Sequence, residues 1–238
     1  PLVARLAEAR ATPRARAASS IPPLGTFCGV TDVEAFRALP IERTPRPEEL
    51  APPTLAALLV LVSSQPEAHG RLTLTTDHDR LELLFVDRGP VTYYAERKRQ
   101  LRAFSWARGA YAWTPLTPSA RYAKNREPLT SFLASGLRES LRELADESLR
   151  ATLSPHMPQS PRVPAARRRR ANQLGLTDHE LRAVDFALDG ARALRDLLGD
   201  GLLGRATLAR LLLLLEVFEC LAWDDASTYV RKPPFFEN

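Results

Sequence analysis

Residues 70–94 read GRLTLTTDHDRLELLFVDRGPVTYY. Leu72 and Leu74 alternate with Arg71, Thr73 and Thr75, the period of two that a half-buried strand carries. Asp77-His78-Asp79 makes a turn, and RLELLFV (residues 80–86) returns as a second strand. Asp87-Arg88-Gly89 is a tight reversal in which Gly89 takes positive φ at no steric cost. PVTYYA (residues 90–95) follows as a third strand. Alternation sets Tyr93 and Tyr94 on opposite sides of it, one in the core and one at the surface.

Outward from this stretch, TLAALLVLVSSQ (54–65) reads as a buried helix and residues 96–106 as a second helix. AYAWTPL (110–116) is a fourth short strand that alternates Tyr111 and Trp113 with alanines. Leu129, Phe132, Leu133, Leu137, Leu141 and Leu144 keep a three-to-four spacing, so one long amphipathic helix is expected over 128–150. Its other face alternates acids with arginines and reads as solvated. Residues 151–172, with four prolines and the run Arg167–Arg170, read as a linker. Residues 173–225 hold three helices, the first opened by a capping box of Thr177 and Glu180, in a small winged-helix-like unit. The fold class is therefore α+β: a small antiparallel sheet covered by helices over 50–150, then a helical domain over 173–225. Residues 1–49 form a Pro-rich segment, with a helical candidate at 1–20 and a possible capping box of Thr31 and Glu34. Residues 226–238 form a polar tail.

The formal net charge is +5, and arginine supplies most of the cation, since Lys98, Lys124 and Lys232 are the three lysines. Such a balance permits anionic partners without demanding them. Cys28 and Cys220 lie in segments of different character, which argues against a disulfide framework and for a reducing cytoplasm. The opening PLVARLAEARATPRARAASS lacks the continuous apolar core of a signal peptide. The stretch LLLLLEVFECLAW (211–223) is too short to span a bilayer and contains Glu216 and Glu219.

No GxSxG or Walker pattern occurs, and His69, His156 and His179 show no metal-ligand spacing, so neither catalysis nor a cofactor nor a metal is expected. Asp77-His78-Asp79 reads as a turn rather than a ligand set. Three features remain. Arg97-Lys98-Arg99-Arg102 is a basic patch, and Arg167, Arg168, Arg169 and Arg170 are a candidate anion-binding run ahead of the helical unit. Tyr93, Tyr94, Tyr111 and Trp113, with Arg88 at the turn, are candidate protein-interaction residues, because Tyr, Trp and Arg are enriched at interfaces.

The chain also resembles the PATAN domain of bacterial signalling proteins. Gly70, Leu72 and Leu74 match that family's first strand. Phe85, Asp87, Gly89 and Val91 match its second element, and Trp106, Gly109, Tyr111, Trp113 and Pro115 its third. Leu176, Glu180, Leu188, Asp189, Gly190 and Leu194 match the helical end of such proteins. His69 departs from the threonine common there, and residues 1–50 have no counterpart. The resemblance implies a non-enzymatic cytoplasmic signalling adaptor that binds other signalling proteins or itself. The alternative from the residues is a nucleic-acid-binding transcriptional regulator that uses the arginine run and the helical domain.

Overall fold

A computed structural model of the protein describes residues 24–30, 32–39, 41, 52–65, 69–117, 122, 124–201 and 203–225. In chain order, β1 (Leu24–Cys28), α1 (Val33–Arg37) and α2 (Leu55–Ser64) precede the hairpin of β2 (Gly70–Thr75) and β3 (Arg80–Val86). Then come β4 (Gly89–Val91), α3 (Tyr94–Arg102), β5 (Arg108–Pro115), α4 (Leu129–Glu143) and α5 (Asp146–Leu153). The chain continues through β6 (Gln159–Arg162), α6 (Ala165–Asn172), α7 (Asp178–Phe186), α8 (Leu194–Leu197), α9 (Arg205–Val217) and β7 (Ala222–Asp225). The fold is α+β.

Five strands form one antiparallel sheet in the order β1-β5-β2-β3-β4. The alternation of β2 and β3 does what it predicts. Leu72, Leu74, Leu81, Leu83 and Phe85 are buried on one face, while Thr26, Arg71, Thr75, Arg80, Glu82, Ala110 and Thr114 are exposed. Helix α2 is apolar on every side, and all eight residues Leu55–Val62 are buried. A helix of that kind cannot lie on the surface, and its position follows from its composition. Thr54 caps it by accepting from the Ala57 N–H at 3.2 Å.

Several sequence expectations are corrected. Positive φ in the reversal falls on Asp87 (φ 47°) and Arg88 (φ 66°), not on Gly89. Val86 pairs with Gly89, so Asp87 and Arg88 are the two loop residues of a type I′ hairpin, whose twist suits the flanking strands. Gly89 is needed for room instead, since a Cβ there would lie 2.7 Å from the Glu127 carbonyl oxygen. The third strand stops at Val91, because Ala95–Arg102 is rich in strong helix formers and the chain turns into α3 at Tyr94. Thr31 lies outside the described residues. The cap of α1 is Asp32, which accepts from the Ala35 N–H at 2.8 Å.

The expected helix over 128–150 is two helices. Leu144 and Ala145 take extended backbone (ψ 136° and 135°), and α5 restarts with Asp146 and Glu147 in its first turn, where acids suit the dipole. The break lets α5 bury Leu149 and Leu153 alongside α9. Residues 151–172 are not a linker. They carry the end of α5, then β6 paired with β7, then α6, and Leu153, Ser160, Pro161, Val163 and Ala171 are buried. Proline is tolerated in β6 because a two-stranded ribbon is all edge. Residues 24–39, expected within a Pro-rich segment, supply the edge strand β1 and the buried Val33 and Phe36 of α1.

The capping box of α7 is present as read, with Thr177 and Glu180 each serving the other's backbone. Yet the helical half is not set apart. One hydrophobic cluster runs from Phe27 to Leu221. Helix α9 packs on α1, α4 and α5, and Arg210 donates to the Leu141 carbonyl (3.0 Å) and to Asp146 (2.9 Å).

Candidate functional site

Helix α3 is where an exposed aromatic and the densest positive charge meet. Tyr93 is its N-cap, with extended backbone (φ −106°, ψ 137°), and its carbonyl accepts from Glu96 and Arg97. Glu96 lies in the first turn and Arg99 and Arg102 in the last, the order that the helix dipole favours.

The helix is held on both flanks by alternate members of its own basic patch. Arg97 donates to both carboxylate oxygens of Glu127, at 3.2 and 2.9 Å, and to Ser135 Oγ at 3.0 Å, tying α3 to α4 and the segment before it. Arg99 donates to Asp79 at 2.6 Å and to the Arg80 carbonyl at 2.7 Å, tying α3 to the β2–β3 turn. Both guanidiniums are held above the ordinary arginine range by these carboxylates, and the Asp79 carboxyl is held below its ordinary range by Arg99. On the inner side Gln100 is buried and donates to the Val91 carbonyl at 3.4 Å.

What these anchors leave uncommitted faces outward. Tyr94, Lys98, Leu101 and Arg102 share one side of α3 at the i, i+4, i+7, i+8 spacing. Tyr94 is 100% exposed. Lys98 and Arg102 are exposed and, among the described residues, have no carboxylate partner. With Ala95, Arg97 and, from α4, Glu139 and Arg142, these residues line a groove of about 580 Å³. Leu101, 8% exposed, forms its apolar floor. Glu139 accepts from Arg142 at 2.6 Å on the far wall.

The other sequence candidates fare differently. Tyr93 is exposed beside Tyr94, so both tyrosines are at the surface, because they start a helix rather than end a strand. Arg88 is exposed at the hairpin tip, where its carbonyl accepts from Ser63 Oγ at 2.7 Å, and it does not line the groove. Tyr111 belongs to the core. It is 5% exposed, a Cβ on Gly25 would lie 2.7 Å from its ring, and burial pushes its phenol above the ordinary value. Trp113 is half-buried against Phe85, ring centroids 6.1 Å apart. Leu101, Glu139 and Arg142 were missed, although the spacing of Tyr94, Lys98 and Leu101 was there to be read once the helix began at Tyr94.

The arginine run is a helix with structural duties. Arg167 donates to the Glu219 carbonyl at 2.6 Å, just past the end of α9, and Arg168 pairs with Asp185 at 3.1 Å. Arg169 is exposed and Arg170 is half-buried. A second cleft, of about 520 Å³, lies between α4, α7 and α9, but each of its arginines faces a carboxylate: Arg138 with Glu180, Arg142 with Glu139, Arg210 with Asp146. Asp77-His78-Asp79 is a turn closed by Thr76, whose Oγ1 accepts from the His78 and Asp79 N–H groups at 3.3 and 3.0 Å. Among the described residues no group of three or more His, Cys, Asp or Glu side chains is placed to hold a metal ion, and no helix is long and apolar enough to cross a membrane.

No family model, curated protein or solved structure matches the chain.

Proposed function

We propose that the chain is a protein-interaction module, a signalling adaptor of the PATAN-like kind working in the bacterial cytoplasm, and that it engages partners through the α3–α4 groove. The observation behind this reading is Tyr94, a large aromatic side chain wholly in solvent on a helix that Arg97 and Arg99 hold rigidly in place. Aromatic anchors on preorganised elements are the usual centres of interfaces, because little ordering is needed on binding. The nucleic-acid alternative draws less support, since Arg167 and Arg168 are occupied within the fold.

A photoreactive benzophenone side chain placed at position 94, and separately at Thr73 on the open sheet face, tests the reading in the native cells. Discrete protein adducts from position 94 and none from position 73 are expected. Equal yields from both positions would overturn it, and an adduct of twice the chain mass would identify self-association as the contact.

A further inference from the structure

We infer that the occupant of the α3–α4 groove is a short acidic peptide segment of a partner protein, carrying two carboxylates and one apolar or aromatic side chain. This rests on the reading of the groove as a protein-interaction face and adds the chemistry of what fills it.

The argument begins with charge. Of the cations on α3, Arg97 is spent on Glu127 and Arg99 on Asp79, whereas Lys98 and Arg102 have no carboxylate partner among the described residues. They flank Leu101, and Tyr94 stands one turn before Lys98 on the same side. The free surface is thus two positive charges around an apolar floor, with an aromatic wall at one end.

Spacing narrows the occupant. Lys98 and Arg102 lie four residues apart, about 6 Å along the helix axis. Side chains on one face of an extended peptide recur about every 6.6 Å, and those one turn apart on a helix about every 6 Å. Two acids at i and i+2 of an extended segment, or at i and i+4 of a helical one, reach both cations together. From Tyr94 to Arg102 is about 12 Å, the length of four extended residues, so the motif is short.

The far wall argues against a nucleic-acid strand. Glu139 lines the groove, so evenly spaced phosphates running along it would meet a carboxylate as well as cations. A peptide whose apolar residue lies toward Glu139 avoids that repulsion, and it gains Tyr94 and Leu101 as apolar contacts.

The test uses the full chain and fluorescence anisotropy. The probes are fluorescein-labelled heptapeptides with a central Phe and two Glu placed one to four residues apart, their Lys counterparts, and a single-stranded 12-nucleotide DNA. A Glu peptide is expected to bind more tightly than its Lys counterpart. Its affinity should drop by about tenfold with K98E/R102E and by several-fold with Y94A. It should also weaken as salt rises from about 50 to about 300 mM. The neutral pair K98Q/R102Q, checked for native circular dichroism, keeps the result readable if charge reversal perturbs the fold. If no Glu peptide binds, or if binding ignores K98Q/R102Q, the acidic occupant is overturned. If the DNA binds more tightly than every peptide and is lost with the same variants, the occupant is a nucleic acid instead. Adducts from position 94 in cells alongside failure of every Glu peptide would leave the interaction reading standing and remove only the acidic chemistry.

Discussion

At Arg88 the backbone carries a left-handed conformation with a side chain attached, and the next residue, Gly89, carries an ordinary one with no room for a side chain. The pair predicts opposite signs. Arg88→Gly relieves the strain and should raise stability in urea by about 0.5–1 kcal/mol, net of glycine's freedom in the unfolded chain. Gly89→Ala drives a methyl toward the Glu127 carbonyl and should lower it by about 1–3 kcal/mol. Asp79 is a pH-dependent case. Arg99 holds its carboxyl below the ordinary value of 3.8, so the unfolded chain takes up a proton first as pH falls. The stability from this group is present above 3.8 and is lost below it. The gap between the wild type and Asp79→Asn in urea midpoint should therefore be open at pH 7 and closed in strong acid. A gap that persists unchanged into acid would show that the ion pair is not its source.

The helices show where sequence reading stops. Strands β2 and β3 were legible because alternation is local, and the capping box of α7 because its two partners lie three residues apart. The break at Leu144-Ala145 was not, for no glycine or proline marks it and the apolar spacing runs on through Leu144; the cause is burial of Leu149 and Leu153 against a helix sixty residues later. The tyrosines at 93 and 94 were misplaced because an aromatic pair after a strand looks like more strand, until the helix formers behind it prevail. Inside α4, Gly136 gives a clean test of packing over propensity. Glycine to alanine in an exposed helix gains about 1 kcal/mol. Here the new Cβ would lie 2.3 Å from the buried Phe104 ring, so Gly136→Ala should instead destabilise by about 1–3 kcal/mol, read from thermal or urea unfolding.

Across the molecule the hydrophobic cluster joins what composition divided. A proline-rich, arginine-rich stretch looks like a tether only while its long-range partners are unknown, and the distance from Arg167 to Glu219 hides them. Because the core is continuous, both ends should unfold together. With Trp106 and Trp113 replaced by Phe, Trp223 reports on β7; with Trp223 replaced, the other two report on the sheet. Within each variant the tryptophan and far-UV circular dichroism midpoints in urea should coincide. Leu213→Ala in α9, at a fully buried position, should shift all three together by about 2–5 kcal/mol. Separate midpoints would mean two folding units. Arg167 has a last consequence, for mutagenesis. In a charge-stripping screen of this cationic chain on heparin, Arg167→Ala also removes the hydrogen bond to the Glu219 carbonyl just past α9, so its loss of retention would mix a loosened turn with a lost sulfate contact and would be scored as a false hit. Arg169, exposed on the same helix, is the substitution whose phenotype can be read at face value.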